Sequence, residues 1–161
     1  MPIQVNSVPE SSNHYSNETS TGGYYGITKT DVDYLKSLGL IDAVGLQMHL
    51  WSNRPAKTDV INAMQSYGVP VWVTEFDCFQ LSGLSNPAQE QADITQAMIE
   101  ATLESGVGDC FTTWGISDKN SFWNTYYGAD YNPCLWDANN NAKPNYYAIQ
   151  QTLSANVTSC P

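Results

Sequence analysis

Two carboxylates stand at the end of an apolar run, in the sequence V-P-V-W-V-T-E-F-D from Val69 to Asp77. The density of β-branched residues predicts a short buried strand, and the carboxyl end of such a strand is where parallel α/β folds build their active sites. Strict alternation would place both acids on the same face as Val71 and Val73. Glu75 and Asp77 are therefore candidates for acid, base or nucleophilic chemistry, and a strand end that only meets solvent is the open alternative.

A second predicted strand, I-D-A-V-G-L-Q-M-H-L from Ile41 to Leu50, also ends in polar side chains. Apolar residues alternate there with Gly45, Gln47 and His49, so one face turns polar toward the end of the strand. A lone histidine is more often a structural residue than a functional one. An imidazole and an amide beside two carboxylates can hold a carboxylate in its ionised form. The four side chains together therefore favour a functional interpretation over a structural one.

Helices separate the predicted strands. The clearest helix start is Asn86 as the cap, followed by a proline, with Gln89 placed for a capping box. Thr58 is predicted to cap the preceding helix, and Thr28 or Thr30 the first one. No periodic element is evident from residue 117 to about 143, which is typical of a functional loop. In chain order the predicted elements are strand 3–5, helix 28–39, strand 41–50, helix 57–68, strand 69–77, helix 86–106, strand 110–116 and helix 144–153.

This alternation predicts right-handed βαβ units around a parallel sheet. Four units are half of a (β/α)8 TIM-type barrel, so residues 1–161 are expected to form a single α/β unit that corresponds to a half-barrel. The outer strands of a half-barrel would have unpaired edges, which predicts a missing partner. In such a barrel the inward side chains at the carboxyl ends of the strands share one mouth. The residues expected there are Asn6, Gln47, His49, Glu75, Asp77 and Trp114.

The charge balance narrows the possible partners. With 16 acidic and 6 basic residues the net charge is −10, which argues against nucleic acid and an anionic membrane. No apolar run is long enough to span a bilayer, and the N-terminus lacks the features of a signal peptide. Neutral partners fit better, and aromatic rings suit the weakly polar faces of sugars, although most of the aromatic residues are expected in the core. No cofactor and no metal is expected, because the cysteines show no C-x-x-C spacing.

Four cysteines and two N-x-S/T sequons indicate a secreted glycoprotein. The sequons begin at Asn17 and Asn156. An even number of cysteines allows up to two disulfides, and three pairings are possible. Free buried thiols are the alternative.

Four motifs in order resemble one known family. They are G-L-Q-M-H-L, V-W-V-T-E-F-D, F-T-T-W-G-I-S-D-K-N-S-F-W and L-W-D-A-N-N-N-A-K-P-N-Y-Y-A-I, spread from about Ile41 to Leu153. This series resembles the C-terminal half of glycoside hydrolase family 10, the endo-β-1,4-xylanases. The resemblance implies a (β/α)8 barrel of which the chain covers roughly strands 5–8 and their helices, with β-1,4-xylan or a related polysaccharide as the substrate.

The resemblance also implies a role for the polar strand ends. Glu75 would be the catalytic nucleophile, and His49 would hydrogen-bond both Glu75 and the sugar. Asp77 would orient His49, and Gln47 would lie near the nucleophile and the second sugar. A retaining glycosidase needs such an ionised carboxylate, with a protonated carboxylic acid about 5–5.5 Å away.

Further positions carry the same resemblance. Trp114 would form the floor of the subsite for the reacting sugar, and Trp123 would lie over the neighbouring sugar. Asp118 and Lys119 match a D-K pair that is expected to shape the long loop. Asn6 would line the sugar subsites, but the three residues after it depart from the family's N-D-Y-N, which weakens the expectation for subsites on the leaving-group side.

The family's general acid has no counterpart in the sequence. It belongs to a W-x-x-x-N-E motif, which is missing from residues 1–161, and Asp77 serves better as a partner of His49 than as a replacement. The chain alone is therefore expected to be inactive. Three explanations stay open: a piece of a full barrel, a half-barrel that pairs with its missing N-terminal half or with another copy of the chain, and a non-catalytic secreted structural or carbohydrate-binding protein that kept the scaffold.

The implied barrel gives an expected disulfide pattern. Cys78 and Cys134 would both lie in loops at the top of the barrel, whereas Cys110 and Cys160 would lie toward the bottom. The expected disulfides are therefore Cys78–Cys134 and Cys110–Cys160.

Overall fold

The computed structural model describes residues 4–7, 24–50, 55–128 and 130–156. Its strands are β1 (Gln4–Ser7), β2 (Ala43–Leu50), β3 (Val71–Cys78) and β4 (Gly108–Phe111), and its helices are α1 (Tyr24–Ser37), α2 (Lys57–Tyr67), α3 (Pro87–Glu104), α4 (Phe122–Tyr127) and α5 (Pro144–Asn156). Among these residues no helix has the length and apolar character needed to cross a membrane. The predicted alternation is confirmed, although α1 begins before Thr28 and β4 ends well before Ile116.

The strands form one parallel sheet in the order β1-β2-β3-β4, so neighbours in sequence are also neighbours in the sheet. The connections between them run through α1, α2 and α3, as parallel pairing requires. The predicted parallel sheet with a helix after each strand is therefore confirmed. In the described part of the chain, β1 and β4 are the outer strands.

The helix caps predicted from the sequence are confirmed only in part. Asn86 caps α3 as predicted, because its side chain accepts a hydrogen bond from the backbone N–H of Gln89. The Gln89 side chain bonds Asp93 instead of turning back to the cap. Helix α2 starts directly after Ala56, so Thr58 lies inside the helix and the prediction that it is the cap is wrong.

An apolar core fills the space between the sheet and the helices. Strand β2 alternates regularly, and every second side chain of it is buried in this core. The main contributors from β2, α1, α2 and α3 are Val44, Leu46, Met48, Leu50, Val32, Val60, Met64, Tyr67, Met98 and Ala101.

Strand β3 carries one extra residue relative to β2. Leu46 pairs with Val73, but the next residue of β2 pairs with Glu75. Thr74 is therefore the extra residue of a β-bulge. Its hydroxyl donates a hydrogen bond of 3.1 Å to the carbonyl oxygen of Leu46, which ties the bulge to the neighbouring strand.

The bulge reverses the alternation of β3. Val71 and Val73 lie in the core before it, whereas Phe76 and Cys78 lie in the core after it. The two acids of β3 therefore face away from the core. The prediction that they share a face with the two valines is wrong, because counting by twos along the sequence does not include the extra residue.

A buried ion pair holds the segment between β4 and α5. Lys143 Nζ lies 2.9 Å from Asp118 Oδ2, and the two side chains are 9% and 2% exposed. The ammonium also donates to the carbonyl oxygens of Asn132 and Cys134, at 2.6 and 2.8 Å, so each of its three hydrogens has an acceptor. Asp118 Oδ1 in turn accepts the backbone N–H of Cys134. Asp118 thus shapes the loop through Lys143, whereas Lys119 is exposed.

The same segment contains more regular structure than the sequence predicts. A 3₁₀ turn covers Asp118–Asn120, and α4 follows it. The Asn124 side chain donates to the carbonyl oxygen of Asp118 and accepts the backbone N–H of Tyr131. Both elements are too short to give a periodic pattern, so hydrogen bonding rather than an apolar stripe defines them.

The predicted disulfides are not formed in the described residues. Cys78, Cys110 and Cys134 form no disulfide with one another, and Cys160 lies outside the described residues. Cys78 is buried in the core between the sheet and the helices, whereas the Cys134 sulfur lies close to Gly115. The prediction of a Cys78–Cys134 disulfide is wrong, because the two thiols lie in different environments. Burial also raises the pKa of the Cys134 thiol to about 12, which keeps it protonated.

Replacing Thr74 with valine tests the bulge. Valine keeps the shape of threonine but removes the hydroxyl, so we expect the free energy of unfolding to fall by about 1 kcal/mol in urea denaturation. Thr58→Val, at an exposed position of α2, is the matched control and should change that free energy by less than about 0.5 kcal/mol. Equal effects of the two substitutions would rule out a specific contribution of the Thr74 hydroxyl.

Replacing Lys143 with methionine tests the buried ion pair. The variant leaves Asp118 buried without its cation, so we expect a loss of about 3–5 kcal/mol in the free energy of unfolding. The control is Lys119→Met, an exposed neighbour in the same segment, with an expected change within about 0.5 kcal/mol. A Lys143→Met variant as stable as this control would contradict the structural role of the pair.

Candidate active site

The register of the sheet pairs the polar residues at the ends of β2 and β3. Beyond the bulge, Gln47 pairs with Glu75 and His49 pairs with Asp77. Side chains at paired positions of neighbouring strands stand on the same face. The amide and the imidazole of β2 therefore stand beside the two carboxylates of β3, as the sequence predicts.

Glu75 is held by two neighbouring side chains. Gln47 Nε2 donates to Oε1 at 3.0 Å, and His49 Nε2 lies 2.9 Å from Oε2. The Glu75 side chain is 18% exposed, so it keeps access to solvent. A carboxylate with a fixed direction and an open side has what a nucleophile or a general base needs.

His49 lies between two carboxylates. Its Nδ1 lies 2.9 Å from Asp77 Oδ1, while its Nε2 contacts Glu75. Burial lowers the pKa of His49, but the hydrogen bonds and charges of Asp77 and Glu75 outweigh this effect and raise the pKa above its usual value of 6.5. Both ring nitrogens donate only in the imidazolium form. The raised pKa therefore fits an imidazolium that donates to both acids.

Asp77 is buried, and both of its oxygens have partners. Oδ1 faces His49, and Oδ2 accepts the indole N–H of Trp123. Burial raises the pKa of Asp77, against the opposing effect of the hydrogen bonds from His49 and Trp123. Because Asp77 is 1% exposed, it supports His49 and has no face to offer to a ligand.

Two tryptophans border His49. The ring centroids of Trp114 and Trp123 lie 5.8 and 5.3 Å from that of His49, both edge-on. Trp114 follows β4, where its backbone N–H donates to the carbonyl oxygen of Phe76 at 2.7 Å, and its side chain is 41% exposed. An exposed indole beside a carboxylate offers a flat apolar surface suited to the weakly polar face of a sugar ring.

The structure places the remaining predicted site residues as follows. Asn6 lies on β1, where its backbone pairs with Gly45. Asn156 ends α5, and its side chain donates to the carbonyl oxygen of Thr152 at 2.8 Å. Asn17 lies outside the described residues, as does the threonine of the second sequon. Both glycosylation sites stay predictions.

Sequence reasoning missed two contributing residues, Thr74 and Lys143, and one contact of Trp123, which it had assigned only to the neighbouring sugar. Thr74 creates the register, Lys143 anchors the loop, and the Trp123 indole completes the partners of Asp77. A lysine directly before Pro144 carries no signal of burial, and a bulge has no fixed residue pattern. Within the described ranges, no cluster of three or more histidine, cysteine or carboxylate side chains is arranged to hold a metal ion.

Comparison with known sequences shows the family to which the chain is related. The description "Glycosyl hydrolase family 10" belongs to the family profile that matches residues 11–152. Endo-1,4-beta-xylanase 1 of Gibberella zeae is 32% identical over 155 residues, which cover 84% of this chain and 41% of that relative. Endo-1,4-beta-xylanase 3 of Hypocrea jecorina is 34% identical over 138 residues, which cover 85% of this chain and 36% of that relative. The chain spans less than half the length of these relatives.

Comparison with solved structures agrees on the fold. Native xylanase 10B from Thermotoga maritima superposes with a TM-score of 0.76 at 23% identity, covering 96% of this chain and 46% of that one. Xylanase 10B from Thermotoga petrophila RKU-1, solved in complex with xylobiose, gives a TM-score of 0.75 at 26% identity, covering 86% and 44%. These structures are (β/α)8 barrels, and the parallel βα units described above form part of such a barrel. Since the family profile matches most of the sequence, the chain belongs to glycosyl hydrolase family 10.

Proposed function

We propose that this chain carries the nucleophile of a retaining endo-β-1,4-xylanase, and that Glu75 is that nucleophile. The observation that carries the proposal is the fixed geometry of Glu75, whose two oxygens are held by Gln47 and His49 while the side chain stays partly exposed. Retaining glycosidases place such a carboxylate beneath the anomeric carbon. The names of the relatives supply the substrate class, β-1,4-xylan.

The neighbouring residues take supporting roles in this proposal. His49 and Gln47 aim the carboxylate, and Asp77 fixes the ring of His49. The exposed indole of Trp114 forms the floor on which the reacting sugar rests. Glu75 Oε attacks the anomeric carbon, the bond to the leaving oxygen breaks, and water later displaces Glu75 from the glycosyl intermediate.

The proton for the leaving oxygen comes from a second carboxylic acid, for which Asp77 is unsuited. Asp77 is 1% exposed, and both of its oxygens are already bonded. The sequence holds no W-x-x-x-N-E motif. We therefore assign the general acid to a part of the barrel outside residues 1–161, supplied by the same polypeptide or by a partner chain. Xylan is an extracellular polymer, so the proposal also places the protein outside the cell, in line with its two sequons.

Loss of the nucleophile is the first test. In a complete barrel that contains residues 1–161 together with the general acid, Glu75→Gln should lower kcat on xylan by roughly 10⁴-fold or more, because an amide cannot form the glycosyl intermediate. Reducing-end release measures the rate, and circular dichroism checks the fold. Glu104→Gln, at an exposed carboxylate paired with Lys57, is the control and should keep the parental rate. Full activity of Glu75→Gln would refute the assignment of Glu75 as the nucleophile.

The second test uses the purified chain, which contains the proposed nucleophile but not the general acid. Xylan needs protonation of its leaving oxygen, so the 161-residue chain should release no xylo-oligosaccharides. An aryl β-xylobioside with a dinitrophenolate leaving group needs no general acid, so the chain should release dinitrophenolate from it slowly, whereas its Glu75→Gln variant should not. Robust xylan hydrolysis by the mass-verified chain would refute the missing acid. Inertness toward the aryl glycoside would instead favour the non-catalytic alternative.

A further inference from the structure

The Trp123 indole belongs to a chain of polar contacts that ends on Glu75. Its N–H donates to Asp77 Oδ2. Asp77 Oδ1 lies 2.9 Å from His49 Nδ1, and His49 Nε2 lies 2.9 Å from Glu75 Oε2. A residue of α4 is thus connected, through the side chains of Asp77 and His49, to the carboxylate of Glu75.

The Trp123 ring is fixed by other rings on several sides. Phe79, which is 1% exposed, contacts it edge-on with a centroid distance of 5.3 Å. Phe122 and His49 contact it at the same distance. Around it, α4 is largely open to solvent, with Tyr126 70% exposed. Helix α4 therefore meets the site through Trp123, and the indole N–H has little freedom to turn away from Asp77.

The indole N–H matters because the carboxylate that accepts it, Asp77, is buried. A carboxylate as buried as Asp77 needs a donor on each oxygen, and His49 supplies only one of them. A donor on Oδ2 favours the ionised form of Asp77. When Asp77 is ionised, the proton shared by the pair resides on His49, so that both ring nitrogens carry hydrogens and Nε2–H points at Glu75.

We propose that Trp123 is a positioning residue, whose indole N–H keeps the shared proton of the His49–Asp77 pair on His49 and so keeps a charged imidazolium, rather than a neutral imidazole, as the donor aimed at Glu75. The catalytic meaning of this role rests on the proposed function. When water displaces Glu75 from the glycosyl intermediate, the water oxygen bonds to the anomeric carbon, its proton passes to the second carboxyl group of the proposed mechanism, and Glu75 leaves as a carboxylate. A hydrogen-bond donor already aimed at Oε2 stabilises that carboxylate as it forms.

The titratable neighbours of the pair within the described residues allow the sign of the effect to be predicted. From β3, Glu75 faces His49. From the segment before α5, the Cys134 thiol lies near Asp77, and its pKa of about 12 keeps it neutral. The indole donor stabilises ionised Asp77 whether or not His49 is protonated. Its removal therefore moves the proton from His49 to Asp77 without lowering the pH at which the pair as a whole loses that proton.

The test is the ¹⁵N NMR spectrum of the His49 ring in the ligand-free chain. The chain has two histidines, so His14→Gln identifies the signals of His49. In the parent, the titration midpoint should lie above 6.5, and both ring nitrogens should be protonated at pH values below that midpoint. In Trp123→Phe, which keeps an aromatic ring but removes the N–H, the ratio of imidazolium to neutral imidazole should fall by about tenfold or more, while the midpoint of the pair stays or rises.

The control is Phe122→Leu, which disturbs the packing on Trp123 but leaves its N–H in place, and it should keep the parental spectrum. A merely structural role of Trp123 predicts a different result. Loosened packing would admit water and move the His49 midpoint down toward 6.5 in both variants. That result, or a Trp123→Phe spectrum like that of the parent, would overturn the proposal.

A measurement on the parent chain covers the case in which Trp123→Phe does not fold. Coupling is reciprocal, so the Trp123 indole ¹H–¹⁵N resonance should shift with the same midpoint as the His49 ring. An indole resonance that stays constant across the His49 titration would contradict the proposal. Neither measurement uses a substrate, so a failure of the xylanase assignment and a failure of this inference are seen separately.

Discussion

One extra residue in β3 sets the geometry of the whole site. The strand must fill the core with apolar side chains and also present two acids on its other face. Without the bulge at Thr74, Glu75 and Asp77 would continue the face of the buried valines and enter the apolar layer beneath the helices, where an ionised carboxylate is very costly. With the bulge, Phe76 and Cys78 take those core positions, and the acids meet the polar face of β2. The site therefore depends on a shift in register as much as on its residues.

The titratable side chains of the site differ in how exposed they are to solvent. The side chains of Asp77, His49 and Glu75 are 1%, 9% and 18% exposed. Both acids have a partner on each oxygen, but Asp77 is buried, whereas the more exposed Glu75 is the one that the proposal assigns to chemistry. The Asp118–Lys143 pair differs, because its charges cancel and its remaining donors bind backbone carbonyls. The Asp118–Lys143 network thus shapes the loop, whereas the network of Asp77 and His49 holds the partly exposed carboxylate of Glu75.

The sequence predicts what periodicity and local hydrogen bonding determine. The alternation of β2, the Asn86 cap and the βα order follow from patterns a few residues long, and the structure has all of them. The bulge at Thr74, the burial of Lys143 and the bond from Trp123 to Asp77 depend instead on partners far away in sequence. The disulfide prediction failed for the same reason, since the position of a cysteine in the barrel does not define the environment of its thiol. The members of the site and the contacts of His49 with Glu75 and Asp77 were therefore predictable from the resemblance, whereas the bulge, the Lys143 ion pair and the bond from Trp123 were not.

The nucleophile and the acid of a retaining glycosidase make different demands on a barrel. The side chains that orient Glu75 directly or through one another are Gln47 and His49 on β2, Asp77 further along β3, and Trp123 on α4. A few adjacent βα units can therefore supply all of them. The acid must stand about 5–5.5 Å from the nucleophile with a sugar between the two groups. On β2, the positions next to Glu75 are occupied by Gln47 and His49, which contact it directly, so an acid at these positions would stand too close for a sugar to fit between. Under the proposed function, the acid therefore stands elsewhere around the mouth of the barrel, and the contacts that orient Glu75 can be complete without it.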